Sequence, residues 1–251
     1  MTNTWIAGVD NPLAKMRLFC FPFAGGDTLT YRAWPRQLSP EIELRPIKLP
    51  GREDRFGETC FRKAVPLARV LAAALSSYLD LPFAFFGHSM GALLAFEFTR
   101  ELRRWGGAQP VCLMVSGRRA PRIPLAREPF HTLPDPALIE KLRTYYAGGT
   151  PELVLREPEL MALFLPVVRA DLAITDAYVY PPEGPLNCPI YAFGGEADHT
   201  VRKADLDAWR EQTTGRFTLR LFPGGHFYLN EKSSGGALAR AVSEELEGLK
   251  R

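Results

Sequence analysis

Residues 82–97, PFAFFGHSMGALLAFE, place a glycine-rich turn between an apolar run and a segment rich in Ala and Leu. The run 83–86 lacks polar alternation, which predicts a strand covered on both faces. Apolar residues recur at helical spacing over 91–105, which predicts a helix. The turn itself is a G-x-S-x-G in which Ser89 would adopt a strained backbone and expose its hydroxyl. The alternative is an ordinary glycine turn capped by Ser89.

Outward from this stretch, strand-like and helix-like segments alternate along the chain. Strand-like runs bounded by turn residues lie at 16–23, 43–50, 82–87, 110–116, 189–193 and 216–222. Helix-like stretches lie at 62–79, 91–105, 203–212 and 236–249. Strands that alternate with helices pair in parallel, so the pattern predicts an α/β fold with a mostly parallel sheet and flanking helices. At 251 residues, we expect one domain spanning 1–251.

One region between residues 116 and 189 interrupts this alternation. It carries ten prolines between positions 121 and 182. The segments 136–146, 158–165 and 167–178 have the spacing of short amphipathic helices. Because the sheet pattern resumes at Pro189, we interpret 121–182 as a helical lid inserted over the strand ends; a separate small helical domain is the alternative.

The composition excludes several classes of protein. A hydrophobic content of 46% and a charged content of 24% are ordinary for a globular domain, and a net charge of +3 is too small to indicate nucleic-acid binding. No histidine or cysteine spacing suits a metal, so no metal and no cofactor are expected, and the four cysteines are expected to be free thiols. With no signal-peptide pattern and no uncharged apolar run of about 18 residues, we expect a cytoplasmic protein without membrane contact.

Catalysis by Ser89 would need two partners, because a serine hydroxyl is a weak nucleophile at neutral pH. A histidine must accept its proton, and a carboxylate must fix the histidine tautomer. In α/β-hydrolases the chain order is Ser, then Asp or Glu, then His, each on a loop after a strand. Asp198 follows the strand at 189–193 and His226 follows the strand at 216–222, both after glycines that allow sharp turns.

Both partner assignments have alternatives. Glu196 is a second candidate for the acid, whereas Asp205 and Asp207 fall in a helical pattern and are expected to face solvent. The remaining histidines lie in the turn, in the insertion and beside the acid, and they fit the role of base less well than His226: His88, His131 and His199.

Acyl transfer also needs backbone N–H groups directed at the developing oxyanion. The residue after the nucleophile supplies one, and a loop after an early strand supplies the other. Met90 fits the first position. For the second we select the amide of Ala24 in Phe23-Ala24-Gly25-Gly26, which follows the strand at 16–23. An ordinary Gly-Gly turn is the alternative.

Four further motifs extend the comparison to nearly the whole chain. They are LPGRE at 49–53, SGRRAP at 116–121, RAD at 169–171 and GGHF at 224–227. With them, the chain from about residue 18 to 249 resembles the type II thioesterases, stand-alone α/β-hydrolases that serve polyketide synthases and nonribosomal peptide synthetases. The resemblance departs at two positions: Phe23 stands where relatives often have His or Tyr, and His199 stands where Pro is common.

The resemblance implies hydrolysis of acyl groups from the phosphopantetheine arm of carrier proteins, which clears stalled or misprimed synthases. Ser89 would be the nucleophile, His226 the base and Asp198 its acid, with the amides of Ala24 and Met90 as the oxyanion hole. No cofactor is implied, acyl-loaded carrier proteins are the expected partners, and we expect a monomer. Alternatives are a carboxylesterase acting on oxygen esters, a medium-chain fatty acyl thioesterase, and a binding protein that has lost hydrolysis.

Two sets of side chains are predicted to contact the substrate. Basic residues at the base of the insertion are candidates for docking an acidic carrier protein, although a solvated basic loop is equally consistent with their pattern: Arg118, Arg119, Arg122 and Arg127. Apolar residues of the insertion are candidates for an acyl channel, although helical spacing also suits a core: Leu138, Leu142, Tyr145, Leu163, Phe164 and Leu172.

Overall fold

A single six-stranded sheet forms the centre of the computed structural model, which describes residues 4–249. The strands are β1 (Met16–Phe21), β2 (Ile42–Pro46), β3 (Phe83–His88), β4 (Cys112–Ser116), β5 (Ile190–Gly195) and β6 (Phe217–Phe222). Their order is β2-β1-β3-β4-β5-β6, and every neighbouring pair is parallel. The predicted α/β-hydrolase fold is confirmed. Because all strands run in parallel, their carboxyl ends share one edge of the sheet.

Helices pack on both faces of this sheet, and further helices form the segment between β4 and β5. They are α1 (Ala64–Leu75), α2 (Met90–Arg104), α3 (Asp135–Thr144), α4 (Glu152–Arg156), α5 (Pro158–Asp176), α6 (Lys203–Asp207) and α7 (Lys232–Gly248). Phe85 of β3 packs in one core with α1 and α2, while Phe86 packs in a second core with α7. The two burial environments explain why β3 is apolar at consecutive positions.

The insertion between β4 and β5 contains α3, α4 and α5 and has an apolar cluster of its own, which includes Leu138, Leu142 and Leu165. The prediction of separate helices at 158–165 and 167–178 is wrong, because α5 continues through Pro166. Pro166 cannot donate to the carbonyl of Ala162, one turn earlier. Both residues are exposed, so that carbonyl is accessible to solvent and the helix tolerates the proline.

Two other helix predictions needed correction. The stretch 203–212 is a short α6 followed by a turn of 3-10 helix, Ala208–Gln212. The last helix begins at Lys232 rather than 236, although Gly235 lies inside it. Gly235 and Gly236 have low helix propensity, so the sequence pattern indicated a later start for this helix. A side chain at Gly235 would overlap the carbonyl oxygen of Leu229, so packing requires a glycine there.

The two acidic residues predicted to face solvent near 203–212 differ. Asp207 does so, but Asp205 is buried and its carboxylate accepts the N–H of Arg202 at the start of α6. All four cysteines are free, and Cys20 and Cys112 are fully buried while Cys60 and Cys188 are half-buried. Across residues 4–249, no helix combines the length and the apolar character needed to cross a membrane.

Candidate active site

The turn that carries Ser89 is closely packed from both sides. Ser89 has φ +53° and ψ −111°, between the end of β3 and the start of α2. A Cβ on Gly87 would overlap the backbone of Gly91, and one on Gly91 would overlap the carbonyl of Phe21. The N–H of Ser89 donates to Ser116 O of β4 at 2.8 Å. The strand and the helix therefore approach each other more closely than residues with a Cβ would allow. This close contact holds Ser89 in its strained conformation.

Three side chains from three different loops meet beside Ser89. Ser89 Oγ lies 3.1 Å from His226 Nε2, and His226 Nδ1 lies 2.7 Å from Asp198 Oδ2. The side chains of His226 and Asp198 are almost fully buried. Because an ionised carboxylate can only accept hydrogen bonds, Nδ1 carries the proton. The Nε2 lone pair then faces the hydroxyl of Ser89, which is the arrangement a general base requires.

Asp198 is held as an anion by its surroundings. Burial raises the pKa of its carboxyl, but hydrogen bonds from His226 and Thr200 outweigh burial and hold the pKa below its ordinary value. Thr200 donates to Asp198 Oδ1 through its hydroxyl at 2.7 Å and through its N–H at 2.8 Å. The rival acid, Glu196, is exposed. Thr200 is not among the site residues predicted from the sequence, although an Asp followed two residues later by Thr is a signal for such a turn.

The other histidines have different surroundings. His88 is fully buried, and its Nδ1 lies 2.8 Å from Ser116 Oγ, which in turn lies 2.7 Å from the hydroxyl of Tyr228. Burial lowers the pKa of His88 well below its ordinary value, so its imidazole is neutral. Its ring centroid lies 5.1 Å from that of His226, which rests against this buried polar group. His131 contacts Asp176, and His199 is exposed.

Two free amides belong to residues next to the nucleophile: Met90 follows Ser89 in the chain, and Ala24 lines the same pocket as Ser89. In the loop 23–26, Gly26 N–H donates to Phe23 O at 2.9 Å and Gly25 N–H donates to Asp171 Oδ2 at 2.8 Å. Within the described part of the chain, the amides of Ala24 and Met90 have no hydrogen-bond acceptor. Met90 also begins α2, whose amino-terminal dipole favours negative charge. Both amides are therefore available to an oxyanion.

A small pocket lies between Ser89 and the insertion. Its wall consists of Phe23, Ala24, Ser89, Leu142, Tyr146, Gly149, Thr150, Val168, Leu172, Thr175 and Phe227. The predicted channel residues Leu142 and Leu172 are among them. The prediction was wrong for Leu163, whose side chain is exposed. Leu138 lies in the core of the insertion, and Phe164 lies against Gly25.

The arginines predicted to dock a partner are mostly not at the surface. Arg118 is only 7% exposed, and burial lowers its pKa to about 9. Arg127 stacks 3.6 Å over the ring of Phe130 and pairs with Asp176. Arg119 is half-buried, whereas Arg122 is exposed and pairs with Glu211. The sequence pattern could not show that tertiary packing covers Arg118 and Arg127.

Comparison with known proteins identifies relatives of the whole chain. Residues 16–246 match the model of the thioesterase domain family. The gramicidin S biosynthesis protein GrsT of Aneurinibacillus migulanus is 43% identical over 230 residues, which are 91% of this chain and 89% of that protein. Thioesterase PikA5 of Streptomyces venezuelae is 38% identical over 222 residues, which are 88% of this chain and 78% of that protein.

Solved structures give the same result. RedJ, the thioesterase of the prodiginine biosynthetic pathway in Streptomyces coelicolor, superposes with a TM-score of 0.88 at 41% identity and covers 94% of this chain and 92% of its own. The type II thioesterase BorB of the borrelidin biosynthetic cluster superposes with a TM-score of 0.87 at 36% identity and covers 98% of this chain and 99% of its own.

Proposed function

Because the chain belongs to the thioesterase domain family, and within it to the type II thioesterases, we propose that Ser89, His226 and Asp198 carry out its hydrolysis of thioesters. The observation that carries the assignment is the chain of contacts from Ser89 Oγ through the His226 imidazole to the Asp198 carboxylate, at 3.1 and 2.7 Å. The free amides of Ala24 and Met90 beside it are the proposed oxyanion hole.

The geometry supports an acyl-serine mechanism. His226 Nε2 takes the proton of Ser89 as its Oγ attacks the thioester carbonyl, and the two amides stabilise the oxyanion. The imidazolium is stabilised by Asp198 and then protonates the leaving thiolate. In the second half-reaction His226 deprotonates a water molecule that attacks the acyl-serine. The acid is released and Ser89 is restored.

We infer that the acyl groups arrive on the phosphopantetheine arms of carrier proteins of a synthase, and that hydrolysis clears stalled or misprimed arms. Support comes from relatives whose names place them in gramicidin S, prodiginine and borrelidin biosynthesis. The pocket beside Ser89 has several apolar walls, which suit the hydrocarbon part of an acyl group. We further propose that residues 1–251 fold as one domain, that 121–182 act as its lid, and that the enzyme is a cytoplasmic monomer.

The decisive experiment compares the wild-type enzyme with Ser89→Ala. A fluorophosphonate probe should label the wild type and not the variant, and the variant should lose several orders of magnitude in kcat while keeping its Tm. The substrates are acyl-loaded carrier proteins, free acyl thioesters and simple oxygen esters, and we expect the highest kcat/KM for the carrier-bound thioesters. Hydrolysis by the Ser89→Ala variant at the wild-type rate would refute the assignment. A preference of the wild-type enzyme for oxygen esters would favour a carboxylesterase.

A further inference from the structure

Two charged residues outside the triad hold the loop 23–26. Asp171 Oδ2 accepts the N–H of Gly25 at 2.8 Å, and Asp171 Oδ1 pairs with Arg52 Nη2 at 2.8 Å. Arg52 Nη1 donates to the carbonyl oxygen of Gly26 at 2.7 Å. Both side chains are buried, with 2% of Asp171 and 8% of Arg52 exposed. The ion pair thus binds one N–H and one C=O of adjacent loop residues at the same time.

These contacts occupy two amides of the loop. The N–H of Gly25 donates to Asp171 and that of Gly26 donates to Phe23 O, whereas the N–H of Ala24, at the pocket wall, has no acceptor among the described residues. Gly25 has φ +77°, a conformation that favours glycine. The N–H of Gly25 and the carbonyl of Ala24 belong to one planar peptide group, so the bond to Asp171 fixes the orientation of the peptide that directly follows the N–H of Ala24.

Asp171 belongs to α5 of the insertion, so the same contact joins the insertion to the loop. Helix α5 also packs directly on the loop, because a Cβ on Gly25 would lie 2.6 Å from Phe164 Cζ and 3.2 Å from Val168 Cγ2. Arg52 lies in a different segment, six residues after β2 ends at Pro46. The loop is therefore enclosed between α5 and the segment after β2.

Stability alone does not account for a charged pair at this position. Removing two charges from water costs about as much as their attraction returns, and an apolar pair of similar volume usually packs at least as well. A carboxylate and a guanidinium can, however, direct peptide groups, which apolar side chains cannot do.

We propose that Asp171 and Arg52 are positioning residues of the oxyanion hole, which fix the loop 23–26 so that the amide of Ala24 faces the reacting carbonyl. The proposal rests on the proposed function, because it assumes that Ala24 donates to the oxyanion. It assigns a role to Arg52 of the LPGRE motif and to Asp171 of the RAD motif, neither of which contains a residue of the triad.

The test compares Asp171→Asn with Asp176→Asn. Asp176 is a matched control, because it is a buried carboxylate on the same helix, pairs with Arg127 at 2.8 Å and does not contact the loop. For Asp171→Asn we expect kcat to fall at least about tenfold with KM within about threefold. A trifluoromethyl ketone analogue, whose adduct with Ser89 carries the oxyanion, should lose affinity by a similar factor. For Asp176→Asn, Tm should fall, while kcat and the affinity for the ketone stay within about threefold.

A double variant keeps the test valid if Asp171→Asn is too unstable to assay. Arg52→Met with Asp171→Leu leaves no unpaired buried charge, so its Tm should exceed that of either single variant. Its kcat and ketone affinity should remain at least about tenfold reduced, because neither new side chain holds the loop.

Two outcomes would overturn the proposal: wild-type kcat and ketone affinity in the folded Asp171→Asn variant, or equal losses in Asp176→Asn. Either result would leave the proposed function intact, provided that Ser89→Ala is inactive. Hydrolysis by Ser89→Ala at the wild-type rate would instead refute the proposed function itself.

Discussion

Asp198 and Glu196 stand two positions apart on one loop, and their surroundings distinguish them. Asp198 receives hydrogen bonds from His226 and Thr200 that hold its pKa below the ordinary value, whereas Glu196 is exposed. The same two residues are acid candidates in the sequence. Which of them faces His226 depends on how the loop after β5 meets the loop after β6.

We therefore expect Asp198→Asn to lower kcat by about 10³- to 10⁴-fold, because an amide at this position would not hold the His226 tautomer. Glu196→Gln should change kcat by less than about twofold. Steady-state hydrolysis of an acyl thioester by the two variants measures both effects. If Glu196→Gln proved the more damaging change, the role of acid would pass to Glu196.

The junction of β3 and α2 is closely packed because two of its residues are glycines, which have no side chain. Gly87 and Gly91 allow the strand and the helix to approach each other and the carbonyl of Phe21. The G-x-S-x-G pattern predicted this contact, because small residues on both sides of the nucleophile are needed for close packing. The glycines of this motif therefore act on catalysis only through the packing that positions Ser89.

Gly91→Ala should lower the free energy of unfolding by about 3 kcal/mol or more, because its Cβ would overlap the carbonyl of Phe21 and the backbone must shift. Gly57→Ala is the control, since a Cβ at Gly57 would meet nothing within 4 Å. Urea unfolding followed by circular dichroism measures both. Equal stability of the two variants would show that the junction is less tightly packed than described.

Helix α5 is continuous although it contains a proline. Its sequence contains a proline, for which local rules predict a break. The helix instead continues through the exposed Pro166, and its buried face packs into the cluster of the insertion through Leu165 and Val168. Burial of apolar side chains on either side of the proline outweighs the loss of one backbone hydrogen bond.

At the scale of the whole molecule, an ionic cluster joins the end of the insertion to α2. Glu183 accepts from three arginines of α2: Arg100, Arg103 and Arg104. Burial raises the pKa of Glu183, but these hydrogen bonds outweigh it and lower the pKa to about 2. The unfolded chain has the ordinary value of 4.5. The cluster therefore stabilises the fold fully above about pH 5 and loses this contribution as the pH falls from about 4.5 to 2.

Glu183→Gln should accordingly lower the free energy of unfolding by about 1 to 2 kcal/mol at pH 7, a value reduced for partial solvent screening. The difference from wild type should shrink by more than about half at pH 3, where the wild-type carboxylate is losing its advantage. Urea titrations at both pH values measure the difference. Glu244→Gln, in an exposed pair with Arg220, should show almost no effect at either pH. A difference that is independent of pH would contradict the ionic explanation.

The alternation of strands and helices, the turn around Ser89 and the chain order of its partners can all be read from the sequence, because periodicity, glycine turns and residue order need no knowledge of tertiary contacts. Only the tertiary structure showed that Asp198 rather than Glu196 meets His226, that Arg118 is buried, and that Asp171 of α5 holds the loop of Ala24. Gly25 and Asp171 are 146 positions apart. Contacts over such separations arise from packing of the whole chain, and no local pattern contains them.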